Sequence, residues 1–293
     1  INGDRTLNIL EYNKYRKFSP SITQAHNIFE KNSNTTMAMQ TYYRVSGEIT
    51  AAIVTAGGGS SNAITGVLSA WADSIPGIII SGQENTRFIN SMNGMRMWGV
   101  QGFDIVEMVK KITKYSVRVM KPERSIYELQ KAYHISTIKR PGPVWVDYPM
   151  DIQGSKIPKK SFEKYHTTIE NKFSVNNEIK ATIELIKDSS RPVFWFGQGI
   201  RIAKAEKKIK ELLDCFPFPF LVSWAGMDMV ESSHPLNYGR AGVYGSRAGN
   251  FVVQNSDLVI AIGNRMSIPM IGYEQSEFAR NAKIIQVDID KLE

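Results

Sequence analysis

Apolar positions along the chain follow two spacings in alternation. Ile49 to Thr55 is a short apolar, β-branched run, the pattern of a buried parallel strand. Gly57-Gly58-Gly59 follows it, and glycine reaches backbone angles closed to other residues. Ser60, Ser61 and Asn62 are expected to cap the next helix. Ile64, Val67, Leu68 and Trp71 then recur at helical spacing. Ser74-Ile75-Pro76 ends that helix, and Gly77 to Ile80 reads as a second buried strand. The stretch predicts a βαβ unit with a right-handed crossover. Its loops fall at the carboxyl ends of the strands, where open α/β sheets bind ligands.

The same alternation recurs on both sides. A helix within 26–47 carries Met37, Met39, Tyr42, Tyr43 and Val45, with Gly47 as its C-terminal cap. An amphipathic helix is expected over 123–138, then a strand at Val144 to Asp147. Residues 152 to about 175 are polar and lysine-rich, as a linker is. Beyond them a helix at 176–188 precedes strands at Val193–Phe196, Pro217–Ser223, Asp257–Gly263 and Ala282–Val287. The expected fold class is α/β, in two domains that each build a mainly parallel sheet flanked by helices. The domains are placed at 1–155 and 176–293, with the linker at 156–175.

Composition narrows the picture little. The chain has 293 residues, enough for two domains, and 42% are hydrophobic. The net charge is +8, but its lysines scatter over helix faces such as Lys204 to Lys210. No aromatic-basic interleaving accompanies them, so the reading is a solvated face and not a nucleic-acid surface. No run of apolar residues is long enough to span a membrane, and a cytoplasmic protein is expected. Cys215 is the one cysteine, which excludes an internal disulfide or cysteine metal cluster. It is expected to be a buried small hydrophobe, and no metal ligands are assigned.

The glycine turn lacks the Lys-Ser/Thr of a P-loop and the third glycine of a dinucleotide fingerprint. By itself it is equally a tight turn with no ligand. The longer segment TAGGGSSNAITGVLSAWADSIPGIIISGQ, however, resembles the pyrimidine-binding domain of thiamine diphosphate enzymes of the acetolactate synthase group. That family has a TSGPG-x-x-N turn, a helix ending in D-S-x-P and a strand ending in GQ. Thr55, Gly57, Gly59, Asn62, Gly66, Ala70, Asp73, Ser74, Pro76, Gly82 and Gln83 match it, with Gly58 in place of proline. The resemblance continues through Asp104-Ile105-Val106, Ile112-Thr113-Lys114 and the run from Arg140 to Asp151. The second domain is similar to the family's Rossmann-like central domain.

Several expectations follow from the resemblance. Gly57, Gly59 and Asn62 become cofactor-binding residues for thiamine diphosphate. A family glutamate bonds the aminopyrimidine and promotes its proton transfer, work that needs a carboxyl in a dry pocket. The ungapped register puts Asn32 at that position, with Glu30 two residues away, so either Glu30 serves or the glutamate is absent. An F-Q-E-x-D pattern reaches the reacting carbons in the family. Here Gln101 and Asp104 match, Val100 replaces the phenylalanine and Gly102 replaces the glutamate. Gln83 and Gln101 are expected to position substrate. In the central domain Gly197, Gly199, Gly242, Gly263, Arg265, Asp288 and Asp290 are FAD candidates, although relatives also keep this domain without a nucleotide. The family's third domain holds the diphosphate and Mg²⁺ through a G-D-G motif, which this sequence lacks. A fragment or truncated product is therefore expected, inactive alone, from a homodimeric or homotetrameric protein.

The resemblance implies a carboligase that decarboxylates pyruvate, a 2-keto acid, and transfers the two-carbon unit to a carbonyl acceptor in branched-chain amino acid biosynthesis. Val100 widens the pocket and favours a keto-sugar acceptor as an alternative. A non-catalytic remnant that binds a nucleotide or a partner subunit is the third reading.

Overall fold

The computed structural model describes residues 35–91, 94–157, 163–167 and 175–291. The chain divides into two compact units, Ile1–Ile169 and Glu170–Glu293.

In the first unit the elements run α1 (Thr35–Ser46), β1 (Ala51–Val54), α2 (Gly58–Asn62), α3 (Ile64–Ala72), β2 (Gly77–Gln83), α4 (Thr86–Ser91), α5 (Ile105–Val109), β3 (Tyr115–Arg118), α6 (Ser125–Thr137), β4 (Pro143–Pro149) and α7 (Met150–Gln153). The strands form one parallel sheet in the order β1-β2-β4-β3. Central β4 is buried on both faces, which is why its sequence reads as a continuous apolar run. Trp145 packs on one face with Met39, Val67, Ile79 and Val109. Val144 and Val146 pack on the other with Val119 and Ala132 of α6.

Two local expectations are corrected. The first strand was expected to be buried, yet among the described residues β1 is the edge strand of its sheet, with Ala51 and Ile53 exposed. Ser60, Ser61 and Asn62 do not cap a helix, because they lie within α2. Ser60 and Ser61 donate their hydroxyls to the carbonyls of Gly57 and Gly58, three residues back. Gly47 does close α1, at φ +70°, with its N–H on the Tyr43 carbonyl.

Within the stretch read as a linker, residues 163–167 lie against α6. The Tyr165 N–H donates to Gln130 Oε1 at 2.9 Å, and the ring stands edge-on to Tyr127. Glu163 pairs with Arg124 at 2.6 Å.

The second unit contains α8 (Asn176–Asp188), β5 (Pro192–Phe196), α9 (Gly199–Ile202), α10 (Glu206–Cys215), β6 (Phe220–Val222), α11 (Arg247–Gln254), β7 (Leu258–Ile262), α12 (Ile268–Ile271) and β8 (Lys283–Val287). Its strands are also parallel, ordered β6-β5-β7-β8. Alternate residues of β5 feed opposite cores: Phe194 and Phe196 on one side, Val193 and Trp195 on the other. The α/β expectation of two parallel sheets flanked by helices is therefore met. Cys215 is exposed, not buried. The core face of α10 is set by Ile209 and Leu213, four residues apart, and position 215 turns away from it.

Candidate functional sites at the carboxyl ends of the two sheets

In the first unit the turn after β1 meets the loop before α5. Gly57 is buried at φ +66°, and a Cβ there would lie 2.8 Å from the Gln101 carbonyl oxygen. Glycine at 57 is thus required both by backbone angle and by the approach of residue 101. A Cβ at Gly59 would meet Thr55 Cγ2 at 2.3 Å, whereas one at Gly58 would meet nothing within 4 Å. The outer side of the turn is open, and its inner side is closed by the chain itself. Asn62 is exposed at the end of α2.

Gln83 ends β2 and is buried, with its amide committed inside the unit. Its Nε2 donates to the Phe103 carbonyl at 2.9 Å and to Asp147 Oδ2 at 3.1 Å. Its Oε1 accepts the Glu84 N–H at 3.0 Å. Gln101 instead leaves its side chain exposed beside Gly57. The structure therefore brings Gly57, Gln83 and Gln101 together, with Gln83 as support and Gln101 at the surface. Glu30 and Asn32 lie outside the described residues.

Asp147 is the hub beneath this loop. It is fully buried and accepts from Ser81 Oγ at 2.6 Å, from Gln83 and from Arg118 Nε at 2.8 Å. Burial raises its pKa above the ordinary aspartate value, against the opposing hydrogen bonds from Ser81, Arg118 and Gln83. Arg118 continues to Asp104 at 2.8 Å and stacks over Trp98. At its start the loop is held by Glu84, whose Oε1 accepts the N–H groups of Val100 and Gln101. Asp147, Arg118 and Glu84 were not singled out in the sequence. The signal for Asp147 was a charged residue inside an apolar strand.

In the second unit the glycines are packed against the chain's own backbone. A Cβ at Gly197 would lie 2.1 Å from the Gly263 carbonyl oxygen, and one at Gly199 would lie 2.6 Å from Gly263 Cα. Gly242 is similarly filled by Pro269 and Met270. Their small size is explained by close packing of turns after β5 and β7, without a ligand. Arg265 is exposed, and Asp288 Oδ1 accepts the Asp290 N–H at 2.9 Å in a local turn.

Other residues at these strand ends carry the stronger signal. Gln198 Oε1, Ser223 Oγ and Asn264 Nδ2 are buried atoms with no hydrogen-bond partner among the described residues, just past the carboxyl ends of β5, β6 and β7. Gln286 Nε2, near the end of β8, is a fourth, and Trp195 Nε1 in β5 is a fifth. Buried polar atoms in this state cost roughly 1–3 kcal/mol each, so a partner is the expected state. Exposed Trp224 stands edge-on to exposed Tyr244 at 5.1 Å, with the Arg240 guanidinium 5.5 Å from the Trp224 ring. The sequence signal was a polar residue at the end of each apolar strand: Gln198, Ser223, Asn264.

The chain matches two family models. Residues 1–108 match the N-terminal TPP binding domain of thiamine pyrophosphate enzymes, and residues 179–293 match the central domain of the same enzymes. The chain belongs to the thiamine pyrophosphate enzyme family. Among curated relatives, a probable acetolactate synthase large subunit of Methanocaldococcus jannaschii is 34% identical, over 86% of this chain and 42% of the relative. The acetolactate synthase isozyme 2 large subunit of Escherichia coli is 31% identical, over 92% of this chain and 47% of the relative. The acetolactate synthase large subunit of Porphyra purpurea is also 31% identical, over 87% and 43%. The chain thus spans less than half the length of these relatives. Among the described residues no helix is long and apolar enough to cross a membrane, and no group of three or more His, Cys, Asp or Glu could hold a metal ion.

Proposed function

We propose that this family member belongs to a thiamine diphosphate-dependent carboligase of the acetolactate synthase type. Its substrate would be pyruvate, with a carbonyl compound as acceptor. The observation that supports this most is the meeting of the Gly57 turn with Gln101 at the strand ends, in a chain similar to acetolactate synthase large subunits. The residues present fit the pyrimidine end of the cofactor. Gly58 leaves the outer side of the turn open to a flat ring, and Asn62 offers an exposed amide beside it. When bound, thiamine diphosphate supplies a stabilised carbanion for adding a two-carbon unit to a carbonyl.

This chain's own residues would bind and orient. Gln101 presents an amide donor to a substrate carboxylate or carbonyl, while Gln83 holds Phe103 and thereby the loop. Val100, 84% exposed, leaves room for an acceptor bulkier than a second pyruvate. The diphosphate and Mg²⁺ would be held by a further domain from a partner subunit in a homodimer or homotetramer. The central unit would take a nucleotide, FAD being the proposed occupant. Its fit rests on the unpartnered atoms of Gln198, Ser223 and Asn264 and the Trp224–Tyr244 pair.

Pyruvate consumption by the full-length protein with thiamine diphosphate and Mg²⁺ tests this reading. The expected result is carbon dioxide release that depends on both additions and rises with an added keto-sugar. Absence of consumption under all acceptors overturns it.

A further inference from the structure

Glu84 follows Gln83 directly and is buried, 8% exposed, at the root of the loop that carries Gln101. One carboxylate oxygen accepts the backbone N–H of Val100 at 3.1 Å and of Gln101 at 3.2 Å. The same side chain fills the space beside both flanking glycines. A Cβ at Gly99, where φ is +57°, would lie 2.6 Å from Glu84 Oε2, and a Cβ at Gly102 would lie 2.6 Å from Glu84 Cγ. The pattern Gly99-Val100-Gln101-Gly102 therefore wraps a carboxylate, and its two glycines are small because Glu84 stands between them. The carboxylate comes from the end of β2 and approaches the loop from within.

We propose that Glu84 is the positioning residue for Gln101. Its carboxylate fixes the backbone of residues 100 and 101, so that Gln101 meets the Gly57 turn in one geometry. Gln83 supports this from below, because its Oε1 accepts the Glu84 N–H and its Nε2 holds Phe103. The loop is then held at residues 100, 101 and 103 by consecutive side chains of one strand end. Buried carboxylate-to-amide bonds of this kind are shorter of solvent competition than surface ones and hold a loop firmly. The role assigned to the Gln101 side chain rests on the carboligase reading; the anchoring itself does not.

The test uses the full-length protein and two variants, Glu84→Met, which keeps the length without an acceptor, and Glu84→Gln, which keeps an acceptor oxygen. Hydrogen exchange is followed at the Val100 and Gln101 amides, with the Ile79 amide in β2 as reference. In the unmodified protein both amides are expected to exchange about tenfold or more slowly than in an open chain. Glu84→Met should speed both by about tenfold with Ile79 unchanged, and Glu84→Gln should stay near the unmodified rate. In pyruvate turnover, Glu84→Met should lower kcat about tenfold while half-saturation by thiamine diphosphate stays within about twofold, and Glu84→Gln should restore kcat.

Open-chain exchange of the two amides in the unmodified protein overturns the proposal, and that measurement needs no variant to fold. It is equally overturned if Glu84→Met matches the unmodified protein, if Glu84→Gln behaves like Glu84→Met, or if the amides open while kcat holds. If the unmodified full-length protein consumes no pyruvate, the carboligase reading fails, while the exchange data still decide the anchoring by Glu84.

Discussion

The two sheets share a parallel design but treat the polar groups at their carboxyl ends in opposite ways. In the first unit Glu84, Gln83, Asp147 and Arg118 spend their hydrogen bonds on one another and on the loop from Trp98 to Asp104. In the second unit Gln198, Ser223, Asn264 and Gln286 each keep a buried atom unpartnered. The first arrangement builds a preorganised platform, rigid before any ligand arrives. The second leaves a cost that a bound polar group would remove. The difference teaches that a tight glycine turn and an unsatisfied polar strand end are separate signals. Gly197, Gly199, Gly242 and Gly263 pack against their own backbone, and the unpartnered polar atoms belong to other residues at the strand ends.

The platform breaks most severely at Arg118. Arg118→Met leaves the fully buried Asp147 carboxylate without its cation and should cost about 3–5 kcal/mol of unfolding free energy at neutral pH. The pH dependence has a definite sign. The folded-state pKa of Asp147 is already raised by burial, and removing Arg118 raises it further. Between the ordinary aspartate value and the raised one the folded protein binds more protons than the unfolded chain, so stability falls as pH rises. Denaturant melts should therefore show a smaller deficit at acid pH than at pH near neutrality. A deficit independent of pH would mean that Arg118 acts through packing on Trp98 alone.

Gly263→Ala probes the close-packed turns of the second unit. The new Cβ would lie 2.8 Å from Gly199 Cα at a backbone φ of +57°, so a loss of about 3 kcal/mol is expected. A tolerated alanine would show that the turns are loose, and the glycines would return to being ligand candidates.

Gln286→Met is expected to act in the other direction. It replaces a half-buried side chain whose buried Nε2 has no partner by an apolar chain of like volume, and should raise ligand-free stability by about 1 kcal/mol. A loss of stability instead would reveal a partner for Gln286 and erase the contrast between the two sheets.

The smallest effect is reserved for the opposite end of the second sheet, where polar groups are satisfied. Asp257 accepts from Ser189 Oγ and from the N–H groups of Ser190 and Arg191. Burial pushes its pKa up, but these bonds together hold it below the usual carboxylate range. Its contribution is therefore present above the unfolded value and lost as pH falls through the folded one. Asp257→Asn should cost about 1 kcal/mol at neutral pH and almost nothing in strong acid, read by thermal melts across pH.

Much of this was legible in the sequence. Continuous apolar runs at Gly77–Ile80 and Val144–Asp147 predicted strands covered on both faces; the structure buries all of the second run, and buries Gly77 and Ile79 of the first with Ile78 and Ile80 partly covered. Periodicity gave the helices over 125–137 and 176–188 to within two residues. The errors arose where periodicity carries no information. Ile49 to Thr55 reads the same whether its strand is central or at an edge, because only the strand order tells them apart. Cys215 looked buried by type, but the rotation of α10 about its axis decides which face meets the core.

For the candidate sites, residue types and spacing by themselves determined the βαβ unit and the placing of the Gly57 turn and Gln83 at one sheet end, while the approach of Gln101 was implied by the family resemblance. These follow from local propensity and from the rule that loops of parallel strands converge at their carboxyl ends. Only the tertiary structure decided that Gln83 is committed inward and Gln101 is not, that Glu84 serves the loop sixteen residues ahead, and that Gly197 abuts Gly263. Hydrogen-bond partnership across such separations depends on strand order and register, which a linear pattern does not encode.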